Sequence, residues 1–346
     1  MKISQYLVTI FLDALGKMGT MPKNKRRLLA LPARVPGYLE LIRRLQAQKI
    51  AIVMYHGVTD CPPAVFNWCH LKVDEFARQI DFLVEHYTIL HLEEVIERLH
   101  RGQSLPPRTA CVTFDDGFRS VATTAFPILL RRQIPSTVFL VTSQVGTRQP
   151  AWPDRLYWNV ACSTQGSVRF NGVEYHLGSN DDRATVYRRL AEQLKNMDLA
   201  EREDRLARLT EALGNFRVPS EAVVATLDWS EVDALARTGL VRFGSHTHTH
   251  PILSRCPVEV QREELETSRN VLQERGLSAS LFAYPNGRPA DFTADTQRLL
   301  RELGYRCGLT TIPGLNRPYA DLYTLRRVNV GADILGLQFR LWMAGL

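Results

Sequence analysis

Two stretches of this 346-residue chain carry groups that could do chemistry together, "VTFDDGF" (112–118) and "GSHTHTHP" (244–251). Asp115 and Asp116 are adjacent carboxylates at the end of an apolar run. Like charges so close repel, and burial is costly for a carboxylate without a counter-charge. His246 and His250 stand four residues apart, the spacing at which one helical turn points two side chains the same way and sends His248 elsewhere. Imidazole binds borderline divalent ions, and a carboxylate often completes the set. Two histidines and one aspartate leave coordination positions open, a count that fits a catalytic centre better than a structural one. An ion held there would neutralise one aspartate and leave its neighbour free to act as a base. Taken alone, "DDG" reads as a turn and "HTHTH" as a solvated edge or an incidental metal binder.

The elements that must position these groups are short β-rich runs alternating with helical patterns. The runs are 49–55, 87–92, 110–114, 136–142, 240–244, 281–284, 305–311 and 323–330. Several are too uniformly apolar for a strand with one wet face, which favours a parallel sheet covered by helices. Seven or eight such strands predict an α/β fold, a closed or nearly closed barrel with an open doubly wound sheet as the competitor. His56 follows the first run, Asp115 and Asp116 the third, His246 and His250 the fifth, and Pro285-Asn286-Gly287 the sixth. In a parallel barrel those strand ends share one face, where active sites are built. Residues 152–228 break the rhythm with a long charged amphipathic stretch. They are expected to form a helical insertion, either a solvated cover or a wall of the substrate cleft.

The net charge of +7 is unevenly placed. Residues 1–49 hold ten Lys and Arg against two Asp and Glu, so the rest of the chain is close to neutral. The domain division expected is a basic helical N-terminal extension, 1–48, followed by a barrel over 49–346. Charge confined to one terminus argues against a nucleic-acid partner. "ISQYLVTIFLDALG" near the start is interrupted by Asp13, is too short to span a bilayer, and reads poorly as a signal peptide. With the following "KNKRR" it could instead touch an anionic membrane surface or pack on the barrel. Six scattered cysteines without a CxxC pair fit a reducing compartment. The location expected is therefore cytoplasmic, with peripheral contact at the inner membrane surface through the extension.

In order along the chain, "TFDDG", "SHTHTHP" and "FAYPNG" resemble the motifs of the polysaccharide deacetylases, the NodB-homology group of carbohydrate esterases. The opening "VMYHGV" resembles bacterial members associated with exopolysaccharide machinery. The likeness runs from about Lys49 to about Val330, apart from the insertion. It implies a distorted (β/α)7-type barrel and metal-dependent removal of N-acetyl groups from an amino sugar. Carried onto this sequence, it makes Asp115 the base and Asp116, His246 and His250 the ligands of a divalent metal, zinc first among the candidates. Many members take their general acid from a histidine near the C-terminus, but no histidine follows His250 here. Others take it from the "MYH" segment, which His56 matches.

The third motif departs from the family pattern. Its usual arginine, which steadies the catalytic aspartate, is Ala283, and its usual aromatic is Asn286. Arg288 is the nearest replacement cation in sequence. A backbone N–H near Asn286 could help hold an oxyanion. Trp152, Trp158, Trp229 and Tyr157 are candidates for stacking on sugar faces, with core packing the alternative for each. Asp154 could reach a sugar hydroxyl. The expected partner is an N-acetylated poly- or oligosaccharide, free or lipid-linked. The competing readings are a non-catalytic saccharide-binding barrel and a related hydrolase of formamide or O-acetyl groups.

Overall fold

The computed structural model describes residues 37–147, 151–214 and 225–346. Most of the basic extension expected over 1–48, including its proposed membrane-contacting segment, lies outside the described residues. Among the described residues no helix is long and apolar enough to cross a membrane.

Strands β1 (Ala51–Tyr55), β5 (Thr109–Phe114) and β6 (Ser136–Leu140) are buried at every position. They lie at the centre of a parallel sheet in which β1 pairs with β5 and β5 with β6. On one side β6 pairs with β9 (Val241–Ser245). On the other, β1 pairs with β11 (Leu325–Asn329), which pairs with β10 (Leu309–Pro313). The remaining gap, between β9 and β10, is occupied by Leu281–Tyr284. This segment joins each neighbour by one isolated parallel bridge, Ser245 with Phe282 and Ala283 with Leu309. Seven strand positions therefore run around a distorted (β/α)7-type barrel, and its weakest seam is the "FAY" stretch. The run read at 87–92 shortens to a two-residue strand, Thr88–Ile89, because Leu92 already begins a helix.

Helices cover the sheet as the apolar spacing requires. In α2 (Val73–His86), Phe76, Ile80 and Leu83 fall on one face and pack into the main core. The insertion builds a separate apolar cluster from α5 (Trp152–Cys162), α6 (Asn180–Lys195) and α7 (Leu199–Ala212). A hairpin, β7 (Ser167–Phe170) and β8 (Val173–His176), joins α5 to α6. Its turn residues Asn171 and Gly172 both take positive φ, 49° and 78°, as a two-residue hairpin turn demands. A reciprocal capping box between Ser179 and Asp182 starts α6.

Candidate metal centre and active site

The end of β5 solves the problem of the adjacent carboxylates by turning them apart. Asp115 keeps the sheet pairing, its N–H donating to the Tyr55 carbonyl at 3.0 Å. Asp116 then takes a left-handed φ of 68°, which swings its side chain away from that of Asp115. Gly117 follows with φ 66°, and a Cβ there would come within 2.7 Å of Leu140. The left-handed conformation after the pair favours glycine, and any side chain there would also have to displace the end of Leu140.

Asp115 meets Arg327, a fully buried arginine on β11. Nη1 and Nη2 of the guanidinium donate to Oδ1 and Oδ2 at 2.8 Å each, and Nε donates to the Thr310 carbonyl at 2.7 Å. Burial works against the Asp115 charge, but the Arg327 cation and nearby imidazoles hold the carboxyl below its ordinary range. The cation missing at Ala283 is thus supplied by Arg327. Arg288 does not fill that role: it is exposed and pairs with Glu192 of the insertion at 3.0 Å.

Asp116 faces His246 and His250. Nε2 of each imidazole stands 3.4 Å from Asp116 Oδ1, and ligand atoms of the three residues all lie within 4.8 Å of one another. The alignment comes from a loop, not from the helical turn that the spacing suggested. Thr247 and His250 adopt φ 66° and 62°, which no α-helix accommodates. Glu264 clamps this loop, accepting from the N–H groups of His248 and Thr249 at 2.8 Å each. His248 points away, as expected, with Nδ1 3.0 Å from the Thr142 hydroxyl.

The three residues fit a divalent ion. His246 Nδ1 lies 2.7 Å from the Ala283 carbonyl, which can only accept, so this nitrogen carries a proton and Nε2 is the atom available to an ion; burial opposes a second proton, but Asp116 raises the pKa. Burial lowers the pKa of His250 to about 3, keeping it in the neutral form that ligation needs. Separations of 3.4 Å are long for charge-assisted hydrogen bonds. Donors each ~2.1 Å from one tetrahedral ion would stand about 3.4 Å apart. Burial opposes the charge of Asp116, yet the surrounding imidazoles hold its carboxyl far below the usual range.

These groups open into one cavity of about 260 Å³, lined by His56, Asp115, Asp116, His246, His250 and Asn286 among others. His56 is buried, with Nε2 3.9 Å from Asp116 Oδ2. Burial, more than any neighbouring charge, lowers its pKa. Its ring meets Trp68 edge-to-face at 4.8 Å, and Trp68 also lines the cavity. Asn286, at φ 58°, has a buried Nδ2 without a partner among the described residues.

The insertion forms a wall of this cavity, contributing Asp154, Tyr187 and Lys195. Crowding at Asp154, reinforced by the charge of Asp116, raises its carboxyl to about 8. The four aromatic candidates for sugar stacking pack in cores, the alternative open for each. Trp152 is buried in the insertion core under the Arg202 guanidinium, and Trp229 packs on the main core beneath Arg275. Trp158 and Tyr157 also belong to the insertion core. Trp68 and Arg327, neither singled out by the sequence motifs, are the residues the structure adds.

Comparison with known proteins agrees with this arrangement. The sequence model of the polysaccharide deacetylase family matches residues 102–308. Poly-beta-1,6-N-acetyl-D-glucosamine N-deacetylase of Staphylococcus epidermidis is 36% identical over 74 residues, 21% of this chain and 25% of that protein. Among solved structures, the Streptococcus pyogenes deacetylase PplD in complex with acetate superposes with a TM-score of 0.57 at 21% identity, covering 85% of this chain and 98% of its own. IcaB from Ammonifex degensii gives 0.57 at 21% identity, covering 86% and 97%. The family match spans well over half of the sequence and takes in both aspartates and both histidines of the site, and the chain belongs to the polysaccharide deacetylase family.

Proposed function

We propose that the protein is a metal-dependent hydrolase that removes N-acetyl groups from amino sugars of a poly- or oligosaccharide, free or lipid-linked, in cell-surface or exopolysaccharide metabolism. The observation that carries this reading is the convergence of three metal-ligand side chains, an ionised aspartate and a buried histidine in one cavity. Asp116, His246 and His250 would hold the ion, and zinc suits a site of two imidazoles and one carboxylate. When bound, the ion supplies Lewis-acid polarisation of the amide carbonyl and a lowered pKa for water.

The chain's own groups account for the proton traffic. Asp115 is kept ionised and oriented by the Arg327 fork, and its free lone pairs take the proton from the attacking water. His56, across Asp116, gives a proton to the departing amine, which is too basic to leave unprotonated. A backbone N–H near Asn286, which lines the cavity, is the donor for developing oxyanion charge in this reading. The likeness to a poly-β-1,6-N-acetylglucosamine deacetylase makes β-1,6-linked oligomers of N-acetylglucosamine the first substrate to try.

The alanine at position 283 is what keeps a saccharide-binding barrel without turnover as an alternative. Arg327 removes that ground, because the buried aspartate has its cation. Acetate release from N-acetylated β-1,6 oligomers, measured alongside metal content, tests the proposal. Wild-type protein should bind about one ion and release acetate, and Asp115→Ala should keep the ion and lose turnover. A protein that binds the ion and the oligomer but never releases acetate would support the binding-only reading. Faster cleavage of an O-acetyl ester than of the acetamide would move the reaction to the ester class.

A further inference from the structure

Most ionisable groups lining the cavity have a partner; Asp154, which burial keeps protonated, and Lys195 have none among the described residues. Asp115 has Arg327, Asp116 is ringed by imidazoles, and Arg288 donates to both carboxylate oxygens of Glu192 at 3.0 and 3.3 Å. Lys195, the last residue of α6, lines the same cavity half-buried and has no hydrogen bond or ion pair to any described residue. The carboxylates nearest to it are already engaged. Glu192 is held by Arg288, and Asp291 accepts from the Arg288 backbone N–H at 2.9 Å. Burial, then the neighbouring Arg288 cation, lower the lysine's pKa, and the charges of Glu192 and Asp291 oppose this only partly. The C-terminal end of its own helix offsets this only in part.

We propose that Lys195 is an anion-binding contact for the substrate, so that the saccharide presented to this cavity carries a phosphate or carboxylate near the acetamide sugar. The proposal rests on the deacetylase reading above and narrows its substrate class. An ammonium without a carboxylate partner on a half-buried cavity wall can gain a charge-assisted hydrogen bond from an incoming oxyanion. Lys195 comes from the insertion, whereas the ion ligands come from the barrel. The insertion would therefore select the substrate and the barrel would perform the reaction. A sugar 1-phosphate, as in a lipid-linked intermediate, and an acidic sugar residue both present this chemistry.

Calorimetric binding to the full chain separates these sources. The probes are N-acetylglucosamine 1-phosphate, a disaccharide of glucuronate and N-acetylglucosamine, and neutral methyl N-acetylglucosaminide. At least one anionic probe should bind about tenfold more tightly than the neutral one, the ratio a charged hydrogen bond supplies. Lys195→Met should erase that preference, and Lys195→Arg should retain it. The tighter anionic probe identifies the source of the anion. Equal binding of all three probes by wild type, or a preference that survives Lys195→Met, overturns the proposal. Acetate release from N-acetylated β-1,6 oligomers, assayed in parallel, separates the two readings: its absence, with the anionic preference intact, counts against the deacetylase reading alone.

Discussion

Arg327 and Asp115 are 212 positions apart in sequence and form a two-point, fully desolvated ion pair, with both oxygens of the carboxylate held at 2.8 Å. Such a fork fixes the orientation of the carboxylate as well as its charge. Removing one member of a buried pair strands the other, at a cost of about 3–5 kcal/mol. Arg327→Met should therefore lower the denaturation midpoint sharply. Arg327→Lys restores the charge but not the two-point grip, so it should recover stability in part and leave turnover roughly a hundredfold down, with metal content unchanged. Native turnover in Arg327→Lys would show that the fork has no role in orienting the base.

The ligand set makes a second, sharper separation. Alanine at Asp116, His246 or His250 removes one of three donors and should abolish stable retention of zinc during dialysis. Glu264→Gln keeps every ligand but replaces the charged acceptor that pins the His248 and Thr249 N–H groups. Its metal affinity should drop about 10–100-fold, the range seen when groups supporting a ligand are altered. Unchanged affinity in Glu264→Gln would mean that the loop holds its left-handed residues without the clamp.

Much of this site could be read from residue types. The ligands and base sit at the ends of strands that must be parallel because they are apolar on both faces, so their meeting on one side of the barrel followed. The distortion did not follow, since Leu281–Tyr284 looks like any apolar strand and pairs through only two bridges. Arg327 was within reach of a closer reading. "LRRVN" places two arginines on opposite faces of a strand, so one of them must point inward and find a carboxylate. The helical turn inferred from the His246–His250 spacing failed because backbone handedness at Thr247 and His250 has no signature in spacing. For Trp152 and Trp158 the core-packing alternative is the one the structure shows, for an energetic reason: the insertion has its own core to fill, and large aromatics fill it.

His56 gives the pH dependence. As general acid it acts in the protonated form, and burial lowers its pKa from the ordinary 6.5. The fraction able to donate therefore declines as pH rises through a value below 6.5, and kcat/KM should fall along that limb. His56→Asn should flatten the limb, reduce kcat by about 10²–10⁴-fold, and leave metal content intact. A limb that persists in His56→Asn would assign the proton to another group.

Asp154 trades stability for its place in the cavity. Its carboxyl is raised to about 8, so the folded state holds a proton there that the unfolded chain gives up near pH 4. Stability is therefore lost as pH rises from about 4 toward 8, the reverse of the usual salt-bridged carboxylate. Asp154→Asn removes the penalty. The variant should melt higher than wild type, by at least about 2–4 °C at pH 8, with the difference shrinking toward pH 5. A difference independent of pH would show that the gain has another origin.

Trp68 is the aromatic that the structure places at the cavity in the role expected of Trp152. The residue is 39% exposed, lines the cavity, and meets the His56 ring in a T-shaped contact at 4.8 Å, so part of its surface is open to a ligand there. Sugars present apolar C–H faces that stack on such rings, and contacts of this kind contribute roughly 0.5–1.5 kcal/mol beyond area burial. Two effects should therefore separate in Trp68→Leu. Loss of the stacking face raises KM for an oligosaccharide by roughly fivefold. Loss of the edge contact frees the His56 ring and lowers kcat, and Trp68→Phe should restore much of both. If KM rises equally for a single N-acetylglucosamine and for longer oligomers, the ring contacts the reacting sugar itself. If only the longer oligomers suffer, it contacts the next sugar along the chain.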